Sequence, residues 1–233
     1  MDFFSAIWQQ IYDNLIYKDR YLYILKGLGT TLEITFFAAL IGIVIGVLIA
    51  LIKVSAADNK KLRILEIVAN IYLTVIRGTP AVVQLFIMYY IILSASGADK
   101  VIAAIIAFGI NSGAYVAEIV RGGILSVEKG QIEAGRSLGL TQRITMTKIV
   151  FPQALKNILP ALGNECITLL KETSVAGFIG VMDLSKAGDI IRSQTYEPLV
   201  PLLTVAGVYL VLVVGLTSLL SKFERRMRQS DIR

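Results

Sequence analysis

Several shortages in the amino-acid sequence limit what this protein can do. The chain of 233 residues has no histidine, a single cysteine at Cys166 and only 17% charged residues. Histidine is the commonest general acid–base and metal ligand, so we expect neither a metal site nor histidine-based catalysis. One cysteine excludes an intramolecular disulfide. The sequence also lacks the G-x-x-x-x-G-K-[ST] phosphate loop, so this chain cannot hydrolyse ATP through such a loop.

Apolar residues dominate what is present, at 55% of the chain. Soluble domains carry about a quarter charged residues, and a bilayer core is crossed by about 20 apolar residues in a helix. Five apolar runs of this kind cover 34–52, 64–96, 101–120, 151–170 and 199–220. They predict an all-α membrane protein with about five transmembrane helices. The second run is interrupted at 77–80, which leaves one broken helix or an interfacial helix followed by a span.

The two ends of the chain differ from the apolar runs. Residues 1–20 predict an amphipathic helix at the membrane interface, with apolar residues Phe3, Phe4, Ile7, Trp8, Ile11 and Leu15. Residues 21–222 are predicted to form one transmembrane domain that includes a loop at 126–150. Residues 223–233 are predicted to form a basic tail.

Lysine and arginine are distributed unevenly between the loops, and cytoplasmic loops carry an excess of both. Fourteen of them fall after the first run, after the third run and at the C-terminus: Lys53, Lys60, Lys61, Arg63, Arg121, Lys129, Arg136, Arg143, Lys148, Lys222, Arg225, Arg226, Arg228 and Arg233. Six fall on the other side: Lys18, Arg20, Lys26, Lys100, Lys186 and Arg192. This predicts a cytoplasmic C-terminus and an N-terminus outside. The net charge of +6 then reflects cytoplasmic loops, and no nucleic-acid partner is expected.

One polar, glycine-punctuated segment, EAGRSLGLTQRITMTKIVFPQALKNILP at 133–160, joins the third and fourth runs. Ser126 is suited to cap a short helix, which Gly139 would end in the left-handed conformation. Thr141 is suited to cap a second short helix, and Pro152 to start the next span. The pattern predicts a stiff helix–turn–helix projection on the cytoplasmic side. An ordinary solvated surface loop is the alternative.

Polar side chains inside apolar runs are costly and tend to mark a transport path. The candidates for substrate contact are Thr79, Gln84, Tyr115, Asn164, Glu165 and Thr168. Glu165 would suit an ammonium or guanidinium group. Pro80 could start a half-helix whose free N–H groups suit a substrate carboxylate. Tyr115 has a simpler alternative role as an interhelical hydrogen-bonding residue.

The cytoplasmic loop resembles that of the binding-protein-dependent ABC importer permeases. Their pattern is E-A-A, three residues, G, nine residues, I, one residue, L-P. At those spacings this chain has Glu133, Ala134, Gly135, Gly139, Ile149, Phe151 and Pro152. Gly135 stands for the second alanine and Phe151 for the leucine. Three segments also resemble the polar amino acid uptake subfamily: RGTPAVVQLF (77–86), NSGAYVAEIVRGGILSVEKGQIEAGRSLG (111–139) and LLKETSVAGFIGVMDL (169–184).

The resemblance implies a type I ABC importer permease fold with a coupling helix in the loop. Such permeases form a dimeric pore with a second, identical or related, permease subunit, and work by alternating access. An ATPase dimer on the cytoplasmic side binds ATP-Mg, so this chain is expected to bind no cofactor. An extracytoplasmic amino acid binding protein delivers substrate. Glu133, Ala134, Gly135 and Gly139 would carry the contact with the ATPase.

The expected function is therefore transport rather than catalysis, in a prokaryotic plasma membrane and surrounded by lipid. The substrate is expected to be a polar amino acid, with a basic one favoured and glutamine as the rival. A self-contained secondary transporter or channel is the main alternative. It would need its own coupling-ion site and usually shows internal repeats, which are not visible here. An intramembrane enzyme is a third possibility, because serine or aspartate chemistry is not excluded by composition.

Overall fold

Helices make up nearly all of the protein in a computed structural model, which describes residues 3–56 and 59–228. Those described residues contain no β-strand. The α-helices in chain order are α1 (Phe3–Ile11), α2 (Tyr21–Ala56), α3 (Arg63–Gly78), α4 (Ala81–Ile87), α5 (Lys100–Leu125), α6 (Lys129–Ser137), α7 (Gln142–Thr145), α8 (Phe151–Glu172), α9 (Leu184–Thr195) and α10 (Leu199–Arg228). The predicted all-α fold is confirmed.

Short segments of π- and 3₁₀-helix connect several of these helices. The π-helical segments are Tyr12–Ile16, Met88–Ile92 and Met146–Val150, and the 3₁₀ segments are Tyr17–Asp19, Lys60–Leu62, Ser94–Ser96 and Thr173–Ile179. Residues 1–2 of the predicted interfacial helix and 229–233 of the predicted basic tail lie outside the described residues. The tail begins as a continuation of α10, because that helix extends to Arg228.

Among the described residues, α2, α5 and Leu199–Met227 of α10 are long and apolar enough to cross a membrane. The second apolar run forms a pair, α3 and Ala81–Ile92, bent by 109°. The break falls at Thr79 because a residue before proline disfavours helical backbone angles, and Thr79 is extended. By length and composition, three of the described helices can span a membrane, or four if the bent pair counts as one span. Helix α8 has the length of a fifth span, but its polar residues make it less apolar.

The helices contribute to two compact units. The first contains the described residues up to Ala38, together with Pro80–Phe108 and Thr168–Leu216. Its core is formed by Ile24, Leu184, Ala187, Ile191 and Val205. Asp183 caps α9: its carboxylate accepts hydrogen bonds from the backbone N–H groups of Ser185 and Lys186, each at 3.1 Å. The N–H of Leu184 donates to Thr31 Oγ1 at 3.0 Å, which ties α9 to α2.

The second unit contains Ala39–Thr79, Gly109–Ile167 and the described residues from Thr217 onward. One of its core clusters is formed by Ala50, Val116, Val120, Val127, Val150, Ala154 and Ile158. Two glycines let α2 and α5 approach closely. A Cβ added at Gly42 would lie 3.0 Å from Ser112 Cβ, and one at Gly46 would lie 2.5 Å from Val116 Cβ. The G-x-x-x-G spacing therefore serves helix packing, as it does in other membrane proteins.

Gly46→Leu is expected to force α2 and α5 apart. Overpacking of a close contact costs about 1–3 kcal/mol, so the thermal unfolding temperature of the detergent-solubilised protein should fall by several degrees. Gly29→Leu is the matched control on the same helix, because a Cβ at Gly29 meets nothing within 4 Å. Equal unfolding temperatures for the two variants would contradict this account of the helix contact.

Candidate functional site

The predicted glycine turn of the loop at 126–150 is present. Helix α6 ends at Ser137, and Gly139 adopts the left-handed conformation with φ +76°. The N–H of Leu140 donates to the carbonyl of Gly135 at 3.1 Å, and that of Gly139 to Arg136 at 2.9 Å. These two bonds are the pattern of a Schellman C-cap, which satisfies helix-end carbonyls. The direction in which the chain leaves α6 is therefore fixed by local geometry.

The start of α6 differs from the prediction. Its N-cap is Glu128, whose side chain makes no capping bond, so the predicted cap at Ser126 is wrong. The Ser126 hydroxyl instead donates to the carbonyl of Gly123 at 2.8 Å and accepts from Asn157 Nδ2 at 2.8 Å. Because that hydroxyl is engaged with the end of α5 and with α8, it ties the loop to two longer helices.

The second short helix begins where predicted. Thr141 is its N-cap and accepts a hydrogen bond from the N–H of Ile144 at 3.4 Å. Helical structure then continues without interruption through Met146–Val150 into α8. Helix α8 itself begins at Phe151, so the predicted start of the next span at Pro152 is confirmed to within one residue, although no break separates it from α7. The N–H of Phe151 bonds to the carbonyl of Met146, five residues back, and this wider turn precedes the proline that lacks an N–H.

The two short helices of the loop pack together at Gly135. A Cβ at this position would lie 2.9 Å from both Cγ2 and Oγ1 of Thr145, and 3.3 Å from Ile149 Cδ1. Both Gly135 and Thr145 are buried. The structure thus explains why glycine replaces the alanine of the importer pattern: the methyl and hydroxyl of Thr145 fill the space that an alanine side chain would need.

The other predicted coupling residues are on the surface. Glu133, Ala134 and Gly139 are exposed, and Leu138 beside them is 80% exposed. An exposed carboxylate, a small side chain and an unpacked leucine lie at the C-terminal half of α6. Leu138 gives this surface an exposed apolar side chain and Glu133 gives it a negative charge. The backbone beneath them is held by the capping hydrogen bonds at the end of α6.

Among the predicted substrate-contact residues, Glu165 on α8 has a partner on another helix. Its Oε1 accepts a hydrogen bond from Ser112 Oγ of α5 at 2.8 Å. Ser112 is 2% exposed and Glu165 is half-buried. Asn164, next to it, is exposed, and Thr168, about one turn later, is half-buried. A buried hydroxyl thus orients a carboxylate at the middle of α8.

Tyr115 lies on α5, 37% exposed, and its ring is covered by a cation. The guanidinium carbon of Arg77 lies 5.8 Å from the ring centroid. One turn further along α5, Glu118 accepts from Arg121 Nη2 at 2.6 Å and lies 3.6 Å from Lys53 Nζ. The second unit therefore concentrates three cations and one carboxylate on α2, α3 and α5.

Thr79 and Gln84 flank the break between α3 and α4. The Thr79 hydroxyl donates to the carbonyl of Val75 at 2.9 Å, so it closes the last turn of α3. Pro80 is the N-cap of α4, which confirms the predicted half-helix, and its carbonyl accepts from Gln84 N at 3.2 Å. Gln84 is half-buried in the first unit.

Sequence reasoning missed three pairings that shape this region. Nothing in the spacing links Ser112 to Glu165, 53 residues apart, or Gly135 to Thr145. The Tyr72 hydroxyl donates to the carbonyl of Ile110 at 2.6 Å and joins α3 to α5. Charge-pattern reasoning could have paired Arg121 with Glu118, which lie three residues apart on one helix.

Comparison with known proteins gives consistent results. The sequence pattern of the family described as "Binding-protein-dependent transport system inner membrane component" matches residues 42–229. GlnP of Rickettsia prowazekii (strain Madrid E), a permease protein named for a glutamine transport system, is 38% identical and covers 91% of this chain and 96% of its own length. The arginine transport system permease protein ArtQ of Bacillus subtilis (strain 168) is 39% identical, with 90% and 94% covered.

Solved structures agree with the fold. A chain from the crystal structure of an amino acid ABC transporter with histidines is 42% identical, with a TM-score of 0.81, covering 97% of this chain and 99% of that one. A chain of the MetNI methionine ABC transporter has a TM-score of 0.76 at 22% identity, over 89% and 97%, which supports the fold alone. The type I importer permease fold and the resemblance noted in the loop are confirmed. This chain belongs to the family of binding-protein-dependent transport system inner membrane components.

Proposed function

We propose that this chain forms the translocation path of an ATP-driven importer that moves a polar amino acid inward, with a basic one favoured. The observation that carries the proposal is the importer loop pattern folded as α6, a left-handed Gly139 and α7. The names of the relatives, which refer to glutamine, arginine and amino acid transport, support the substrate class.

The loop is proposed to transmit movement from a separate ATPase dimer that binds ATP-Mg. Glu133, Ala134 and Gly139 lie on its surface, where a partner protein can contact them. Gly135 acts beneath that surface, by holding α6 against α7. A loop stiffened by a Schellman cap and a buried contact transmits displacement to α8 directly, because helical structure continues from α7 into α8.

The proposed assembly has further partners. A second permease subunit, identical or related, completes the pore, and an extracytoplasmic amino acid binding protein delivers substrate. The N-terminus is placed outside and the C-terminus in the cytoplasm of a prokaryotic cell, following the lysine and arginine distribution. Residues 21–222 are proposed to form the permease domain, between the N-terminal interfacial segment 1–20 and the basic tail 223–233.

The proposed substrate contacts centre on Glu165, with Thr79, Gln84, Tyr115, Asn164 and Thr168 as further contributors to the path. An oriented carboxylate in a membrane protein is suited to an ammonium or guanidinium group. The Ser112 hydroxyl donates to Oε1 of this carboxylate and so orients it on α8. This is the physical reason for favouring a basic amino acid over glutamine.

Glu165→Gln is therefore expected to lower uptake of arginine about tenfold or more, with a smaller effect on glutamine. A charge-assisted hydrogen bond exceeds a neutral one by about 1–2 kcal/mol, which is the basis for that factor. Ser112→Ala is the matched variant, since it keeps the carboxylate and removes only its orienting bond. Uptake assays with both labelled amino acids provide the measurement. An equal loss for arginine and glutamine would contradict a charge-selective contact.

The function itself is tested by reconstitution into liposomes. The chain with its ATPase, second subunit and binding protein should accumulate the amino acid only when ATP is supplied to the ATPase. The amino acid that most strongly stimulates ATP hydrolysis identifies the substrate. Uptake by the chain alone, driven by an ion gradient, would overturn the proposal in favour of a secondary transporter.

A further inference from the structure

A polar cavity of about 350 Å³ lies in the first unit. It is lined by Gln10, Asp13, Asn14, Tyr17, Arg20, Thr195 and Glu197. These residues come from the end of α1 with the segment that follows it, and from the C-terminal end of α9. Its volume falls in the range of small-molecule sites, about 300–1,000 Å³.

Asn14 is the first sign that this cavity takes a ligand. The residue is 3% exposed, yet its Oδ1 has no hydrogen-bond partner among the described residues. Its Nδ2 donates to the carbonyl of Gln10 at 2.9 Å. That bond fixes the amide orientation, because the reverse orientation would face two oxygens towards each other. A buried acceptor without a donor destabilises the fold, so a donor from a ligand would be stabilising here.

The charges of the cavity wall are the second sign. Asp13 and Glu197 supply carboxylates, and Arg20, 8% exposed, supplies a guanidinium. Arg20 Nε donates to Gln194 Oε1 at 3.3 Å and its Nη1 donates to the carbonyl of Asp13. Within the described part of the chain, Arg20 forms no ion pair with either carboxylate. The cavity wall therefore carries side chains of opposite charge that form no salt bridge with each other in the described part of the chain.

We propose that this cavity binds the zwitterionic part of a free α-amino acid, at a second site separate from the transport path. The ammonium group donates to Asn14 Oδ1 and to the Glu197 carboxylate, and the ligand carboxylate accepts from Arg20. Such a ligand supplies the donor that Asn14 lacks and bridges charges that the protein leaves apart. The site recognises groups common to all α-amino acids, so it does not depend on which side chain the path selects.

The test uses Trp8, the only tryptophan of the chain, two residues before Gln10. L-Glutamine is titrated into the full chain in detergent and Trp8 fluorescence is recorded. A saturable change is expected. N-acetyl-L-glutamine, which lacks the ammonium, and 4-aminobutanamide, which lacks the carboxylate, should each bind about tenfold more weakly or worse. No saturable change, or 4-aminobutanamide binding as well as glutamine, would overturn the proposal.

Variants localise the binding. Glu197→Gln and Asn14→Leu should each weaken the glutamine response about tenfold. Asp19→Asn is the matched control: it removes a carboxylate next to Arg20 but outside the cavity wall, and asparagine tolerates the positive φ of 53° found there. Normal binding by Glu197→Gln would overturn the assignment even if Asn14→Leu failed to fold. Transport by the reconstituted complex is measured separately, so the absence of a Trp8 response in the unsubstituted chain, together with normal uptake, refutes only the second site.

Discussion

Gly135→Leu is expected to abolish ATP-coupled uptake, or to reduce it at least about tenfold, while the chain remains in the membrane. The added side chain would occupy the space of the buried Thr145 and push α6 away from α7. Overpacking costs about 1–3 kcal/mol, and a displacement of α6 would misplace the surface that carries Glu133 and Ala134. Uptake and substrate-stimulated ATP hydrolysis of the reconstituted complex are the measurements.

Gly130→Leu is the control for this prediction, because Gly130 lies on the same helix and a Cβ there meets nothing within 4 Å. A gentler pair of variants tests the same contact. Gly135→Ala should weaken coupling, and adding Thr145→Ala should restore part of it by removing the atoms that crowd the new methyl group. Coupling that stays normal in Gly135→Leu would show that the contact between α6 and α7 has no role in transmission.

Asp183→Ala is the second substitution for which we expect a large effect, this time on stability. Asp183 is fully buried and its carboxylate caps two backbone N–H groups of α9. Losing an N-cap costs about 0.5–2 kcal/mol, and leaving buried donors unpaired adds about 1–3 kcal/mol. The thermal unfolding temperature of the purified protein should fall clearly. Asp189→Ala, on the exposed side of the same helix, should change it little.

The same carboxyl gives stability a pH dependence. Burial raises the pKa of Asp183, which lies outside the membrane-spanning helices, from 3.8 to about 6. Between these two values the folded protein binds a proton that the unfolded chain releases. The free energy of unfolding should therefore fall as pH rises from 4 to 6, by an amount on the order of 3 kcal/mol, and level off above. Asp183→Asn should remove this slope; a slope that persisted would contradict burial as its cause.

The long helices were predictable from the sequence because an apolar run long enough to cross a membrane indicates a helix. The break at Thr79–Pro80, the left-handed Gly139 and the Thr141 cap followed from local rules that need no tertiary information. The error at Ser126 arose where tertiary structure overrode those rules, because the Ser126 hydroxyl bonds to Asn157 of α8 instead of capping α6.

The candidate site was only partly predictable, for a related reason. Polarity inside an apolar run singled out Glu165 and Tyr115, but their partners Ser112 and Arg77 lie on other helices. No spacing rule connects residues that meet only through packing. The orphaned acceptor of Asn14 could not be foreseen either, because an asparagine near the end of a surface helix is ordinarily solvated.

Site-directed cross-linking tests the central claim, that a separate ATPase binds the α6–α7 loop. In a Cys166→Ser background, a cysteine is introduced by Leu138→Cys, directly after α6, and, as control, by Ser96→Cys in the exposed 3₁₀ segment before α5. A photoreactive maleimide on each cysteine is activated in the assembled, transporting complex. The account predicts an adduct with the ATPase from position 138 and none from position 96. Active complexes in which position 138 forms no ATPase adduct, or is labelled from outside the cell, would contradict it.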